Sequence, residues 1–169
     1  MRWFLSAIIR RPGPRAIRWP TPSPCRLPVC ALNGELCSEF RLHSYAAALY
    51  GVPVVFISGD KGICGEASEL IRSIRTVPVS EGRGASTISI QPAVAQSMIR
   101  EGVGESLKGD LARCKVELPK HFVLEITFTN PVDAYRKAWY PGASQSGPQT
   151  VRFENTNYFE VLRAIRFIM

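Results

Sequence analysis

Apolar positions in this chain fall into two rhythms that alternate along its length. Leu42, Tyr45, Ala46, Leu49 and Tyr50 recur at i, i+3, i+4, i+7 and i+8, which predicts an amphipathic helix over residues 39–50 with Ser38 as its cap. A near-continuous β-branched run over 52–58 follows, the pattern of a strand covered on both sides. The spacing then predicts a helix over 64–74, a short strand over 76–79 and a mobile loop over 81–86. Pro92 can occupy the first turn of a long helix to residue 107, with Ala95, Met98, Ile99, Val103 and Leu107 as its buried stripe. Phe122, Leu124, Ile126 and Phe128 alternate as one face of a strand. A short helix over 130–139 and a strand over 150–154 come next. Asn157 and Glu160 then make a capping box for a last helix burying Tyr158, Val161, Leu162, Ile165 and Ile168. Alternating strands and helices predict an α/β fold with a mixed, largely parallel sheet flanked by helices.

Between these elements Asn33-Gly34 is a strong hairpin-turn signal, because both central positions of a type I′ turn need positive φ. The first thirty residues differ in kind. They hold six of the thirteen prolines and, with the next four residues, six arginines and no acid. Proline at this density blocks helix, so an irregular basic leader over 1–30 and an α/β domain over 31–169 are expected. The leader is acid-free like a mitochondrial presequence, yet Pro12 and Pro14 interrupt the helix such a presequence needs.

Charge changes the picture little. The net charge is +7, but removing the six leader arginines leaves 15 basic against 14 acidic residues. The basic balance therefore argues for no nucleic-acid partner. The leader's apolar run over 3–9 is too short to span a bilayer, and no membrane partner is expected. Five cysteines without a CxxC pair fit reduced thiols and a cytoplasmic location.

The turn at Asn33-Gly34 leading into Ser38-Glu39 and the Tyr50-Gly51-Val52-Pro53-Val54 run ending in Gly59-Asp60 share their order with a known family. So do Glu66-Ala67 with Glu69-Leu70, the Ser89-Ile90-Gln91-Pro92 helix start, Trp139-Tyr140-Pro141-Gly142 and Thr150-Val151-Arg152-Phe153. Together they resemble DppA-type D-aminopeptidases, zinc-dependent peptidases, from about residue 32 to the C-terminus. The resemblance implies release of N-terminal D-amino acids from short peptides by metal-activated water, and ring-like homo-oligomers. It implies a metal held by an Asp-x-Glu pair, two histidines and a glutamate after the Asn-Gly turn, of which Glu39 alone has a counterpart here. The chain thus resembles the C-terminal portion of a larger enzyme fold. It is expected to hold zinc weakly or not at all and to be inactive alone.

Glu39 is the candidate metal ligand, although an acid in a helix's first turn is favoured by the helix dipole in any case. His43, one turn further on, is a second candidate. Asp60 lies at the carboxyl end of a predicted strand, where α/β folds collect functional residues, and is equally a helix cap. Gly62-Ile63-Cys64-Gly65 resembles a nucleophile elbow, so Cys64 with His43 or His121 as base makes a cysteine hydrolase a rival reading. A small half-buried helix residue is the plainer account of Cys64. A non-catalytic interaction module, or pseudoenzyme, is the other alternative.

Overall fold

The computed structural model describes residues 28–169. Almost all of the basic leader, with Cys25, Trp3 and Trp19, lies outside the described residues. The described chain forms two compact units, one from residues 43–118 and one from residues 28–42 together with 119–169.

The discontinuous unit is built on a five-stranded sheet. β1 (Val29–Leu32) turns through Asn33 and Gly34 into β2 (Glu35–Leu36). Their φ values of 53° and 81° are the left-handed pair that the Asn-Gly signal predicts. Later strands are β6 (Phe122–Thr127), β7 (Ala143–Gly147) and β8 (Thr150–Asn155), and the order across the sheet is β2-β1-β6-β8-β7. Every pairing in it is antiparallel. Phe122, Leu124 and Ile126 are buried while Val123, Glu125 and Thr127 are not, so one face is core and the other is wetter. α4 (Pro131–Lys137), capped by Asn130, connects β6 to β7. α5 (Tyr158–Ile168) starts at Asn157, whose side chain accepts from the Phe159 N–H at 3.0 Å. It buries Tyr158, Val161, Ala164 and Ile168, while Leu162 and Ile165 are only half-buried. The Tyr158 hydroxyl donates to the Leu42 carbonyl at 2.9 Å, and its ring packs 5.0 Å from that of Phe122.

Asn33 ties this sheet together beyond its turn. Its N–H donates to the Val123 carbonyl at 2.8 Å. Its side chain accepts from the Val123 N–H at 2.7 Å and donates to the His121 carbonyl at 3.1 Å. The β1–β2 hairpin is thereby held in register on the start of β6, ninety residues away in sequence.

The continuous unit carries a three-stranded sheet of β3 (Phe56–Asp60), β4 (Arg75–Arg83) and β5 (Ser86–Ser89), in the order β3-β4-β5. β3 and β4 are parallel and joined by α2 (Lys61–Leu70). Residues 52–55, predicted as strand, are not one. Pro53 lacks a donor, and the Val54 N–H is taken by the Cys114 carbonyl at 3.1 Å. Within β4, Pro78 opposes Gly59 and Ser80 opposes Asp60, so the ladder skips a residue where proline has no N–H. The predicted mobile loop at 81–86 is corrected to a hairpin: β4 runs to Arg83, turns at Gly84 (φ 59°) and pairs back as β5. α3 (Pro92–Ser106) packs on β3 and β4, but its expected apolar stripe is only half-covered and Gly102 is its one buried residue.

The expected α/β fold with helices flanking its sheets is what the structure has, while its largely parallel pairing is corrected. Among the described strands only β3–β4 is parallel. The reason lies in β6 and β8, whose alternating burial suits an antiparallel sheet with one solvated face. α1 (Glu39–Leu49) follows the β1–β2 hairpin.

Two substitution pairs test this architecture. A Cβ at Gly102 would lie 2.8 Å from the Phe56 ring and 3.1 Å from Val77, whereas one at Gly104 meets nothing within 4 Å. Gly102→Ala is expected to destabilise by about 1–2 kcal/mol through overpacking, and Gly104→Ala to stabilise by about 0.5–1 kcal/mol through helix propensity. Urea unfolding midpoints measure both. Asn33→Ala should lose about 2 kcal/mol, from the left-handed backbone and the lost hydrogen bonds. Asn33→Gly, which keeps the backbone freedom, should lose about half of that. Equal losses would mean that the side-chain bonds alone matter.

Candidate functional site

The hairpin delivers the chain to α1 in three residues. Cys37 is buried, and its N–H donates to the Cys30 carbonyl at 2.9 Å. Ser38 is buried behind it, and its hydroxyl accepts from the Arg41 N–H at 3.0 Å, which caps α1 as the sequence predicts. Glu39 then opens the helix, half-buried, as the acid of its first turn. His43 stands one turn along the same helix and is exposed. Glu39 is thus held at a fixed point by a turn, a ladder and a cap.

At the second candidate position β3 runs directly into α2. Asp60 is the N-cap: its Oδ1 accepts from the Gly62 N–H at 2.7 Å and the Ile63 N–H at 3.0 Å. Gly62 makes this approach possible, since a Cβ there would lie 2.9 Å from the same oxygen. One carboxylate oxygen, Oδ1, is thus engaged by the helix end. Lys61 beside it points to Glu81, 3.7 Å away.

Cys64 sits a full turn inside α2 rather than on the strand-to-helix turn, and it is buried. Burial is the main influence on its thiol and pushes it up; a backbone hydrogen bond from Gly59 opposes this and the Asp60 charge adds to it. At neutral pH it is a protonated core thiol and a poor nucleophile. His121, one of the two bases available to it in sequence, has its Nε2 2.9 Å from Glu154 Oε2. Glu154 in turn accepts from Arg152 Nε at 2.6 Å, and these two partners, His121 first, hold its carboxyl below the usual range.

Zinc wants about four N, O or S ligands. Among the described residues no group of three or more His, Cys, Asp and Glu side chains is placed to hold a metal. The described residues therefore do not fit a zinc centre by themselves.

One cavity escaped the sequence reading. Tyr140, Pro141, Gly142, Phe153, Glu154, Asn155, Glu160, Arg163 and Phe167 line an open hollow of about 420 Å³. The Tyr140 ring stands edge-on to Phe153 and stacked on Phe167, at 5.8 and 6.2 Å. Trp139 to Gly142 is one of the segments that carry the family resemblance, but nothing in its spacing announces a concave surface.

Two measurements test the plain roles of these residues. Asp60→Ala should lower stability by about 1 kcal/mol, the usual worth of a cap. Iodoacetamide at neutral pH should modify Cys64 slowly in the folded chain and quickly in urea, and equal rates would show that the thiol is accessible and ionised.

Comparison with known proteins places this arrangement. The family model described as D-aminopeptidase matches residues 26–167. A D-aminopeptidase of Bacillus subtilis (strain 168) is 29% identical over 136 residues, which are 79% of this chain and 50% of the relative. Among solved structures, the Zn-dependent D-aminopeptidase DppA from Bacillus subtilis, described as a self-compartmentalizing protease, aligns with a TM-score of 0.69 at 27% identity. That alignment covers 83% of this chain and 54% of DppA. The chain spans about half the length of both relatives. With a family match running from before β1 into the last turn of α5, the chain belongs to the D-aminopeptidase family.

Proposed function

We propose that this chain carries the family's C-terminal scaffold and one of its metal-ligand positions, Glu39, and that alone it neither holds zinc tightly nor hydrolyses peptides. The observation that carries this reading is the donor set. Glu39 is fixed at the head of α1 by the Asn33 turn and the Ser38 cap, yet the described residues group no three ligating side chains. In a protein with the remaining ligands, Glu39 would take one position on the metal, and the substrate would be a short peptide with an N-terminal D-amino acid. Self-association into a homo-oligomer goes with the same reading. Val94 and Met98, one turn apart on α3, and Ile88 and Ile90 in and just after β5 are apolar and exposed, as surfaces that meet another copy often are.

Of the alternatives, the pseudoenzyme is the limiting form of this proposal. No observation favours the cysteine hydrolase, since Cys64 is buried and protonated.

Elemental analysis after gel filtration, together with release of D-alanine from a D-alanyl peptide, tests the proposal on the full chain. Expected are well under one zinc per chain, no hydrolysis above buffer, and no change in either for Glu39→Gln. One tightly held zinc per chain, with hydrolysis abolished by Glu39→Gln, would overturn inactivity and make the chain a working peptidase. Zinc that survives Glu39→Gln would remove Glu39 from the ligand set.

A further inference from the structure

Cys30 and Cys37 face each other across the β1–β2 hairpin. The ladder pairs Leu32 with Glu35 and Ala31 with Leu36, and the next step brings Cys30 opposite Cys37, where the Cys37 N–H meets the Cys30 carbonyl at 2.9 Å. Opposed residues of an antiparallel ladder project to one face with Cα atoms about 4.5–5.5 Å apart. A disulfide accepts Cα separations of about 4.4–6.8 Å. Both residues are reduced in the structure, 1% and 0% exposed, and face the core side with Leu32.

We propose that Cys30 and Cys37 form a redox-active dithiol, a disulfide switch at the root of α1 that a small oxidant such as hydrogen peroxide closes. A hydrogen bond from Cys37 lowers the Cys30 thiol below its ordinary value, and burial only partly opposes this. Either sulfur of the facing pair can attack first; with Cys30 as the nucleophile Cys37 is the resolving thiol, and the reverse order balances identically. In the first step the Cys30 sulfur attacks one peroxide oxygen and the O–O bond breaks; Cys30 becomes a sulfenic acid and water leaves. In the second step the Cys37 sulfur attacks the Cys30 sulfur, the S–O bond breaks, and a second water leaves with the Cys37 proton. Two thiols are oxidised by two electrons and one peroxide is reduced to two waters.

Access comes through the hairpin itself. β2 is only two residues long, exposed, and at the end of the strand order, so it can open locally without disturbing β6 or β8. The covalent link would fasten Cys37, and with it the Ser38 cap next in sequence, to β1. It would thus fix the start of α1 whether or not Glu39 meets a metal.

The test uses the unmodified chain. Folded protein is treated with a small excess of hydrogen peroxide, free thiols are alkylated in denaturant, and trypsin is added. Cleavage after Arg26 and Arg41 releases both cysteines in one peptide, residues 27–41, while Cys25 falls in residues 19–26. Expected is a 27–41 peptide without alkyl groups and lighter by two hydrogens, with Cys25, Cys64 and Cys114 alkylated. Dithiothreitol before alkylation should return it to the doubly labelled form. A 27–41 peptide that keeps two alkyl groups, a cross-link between it and residues 19–26, or a sulfinic acid on Cys30 with Cys37 still alkylated would each overturn the proposal.

Discussion

The double engagement of Asn33 with the start of β6 is the constraint from which the rest of its unit follows. A left-handed turn residue usually does no more than reverse the chain. Here the same residue donates through its backbone and both accepts and donates through its side chain, on His121 and Val123. Those bonds set the register of β1 against β6, which puts Cys30 and Leu32 on the face that packs with Leu124 and Ile126. A slip of one residue would turn that face to solvent. It would also carry Cys37, Ser38 and Glu39 out of place, since only five residues separate Asn33 from Glu39. The position of the candidate ligand is therefore set by a turn and its anchor, not by the helix on which it stands.

The sequence was legible where one local cause sufficed. The Asn33-Gly34 turn, the Ser38 and Asn157 caps, and proline at the head of α3 are each decided within a few residues, and each is found where expected. It was misleading where pairing partners decide. The alternation of strands and helices suggested parallel crossovers, although the alternating burial of residues 122–128 was already the mark of an antiparallel sheet with one wet face. β7, made of Ala143, Ser144, Gln145, Ser146 and Gly147, has no β-branched residue and exists because β8 offers it an edge. β5, wholly exposed, is equally silent in hydrophobic pattern.

Site residues follow the same division. Asp60 reads in sequence as a cap or as a cleft acid, and the structure shows the cap, with Oδ1 accepting from the Gly62 and Ile63 N–H groups. Cys64 resembles an elbow only if the strand ends at residue 58. With β3 running through Asp60, the helix starts sooner and the thiol turns inward. The hollow beside Tyr140 and Phe153 was beyond reach, because its walls come from α5, β8 and the segment before β7.

The route of the chain through the five-stranded sheet has a consequence for how this protein is made. Its first hairpin and its last three strands are separated by the whole of residues 43–118. On a ribosome adding about 5–20 residues per second, β1 waits on the order of 5–20 s for its partner β6 to be synthesised. Throughout that interval one side of a two-stranded ribbon offers unpaired amides and carbonyls beside Cys30 and Leu32, an invitation to any neighbouring strand. The intervening unit, whose parallel β3–α2–β4 core closes within its own span, has been synthesised before that wait ends. The interval before β6 emerges is thus the time when nascent chains are most exposed to mispairing with one another.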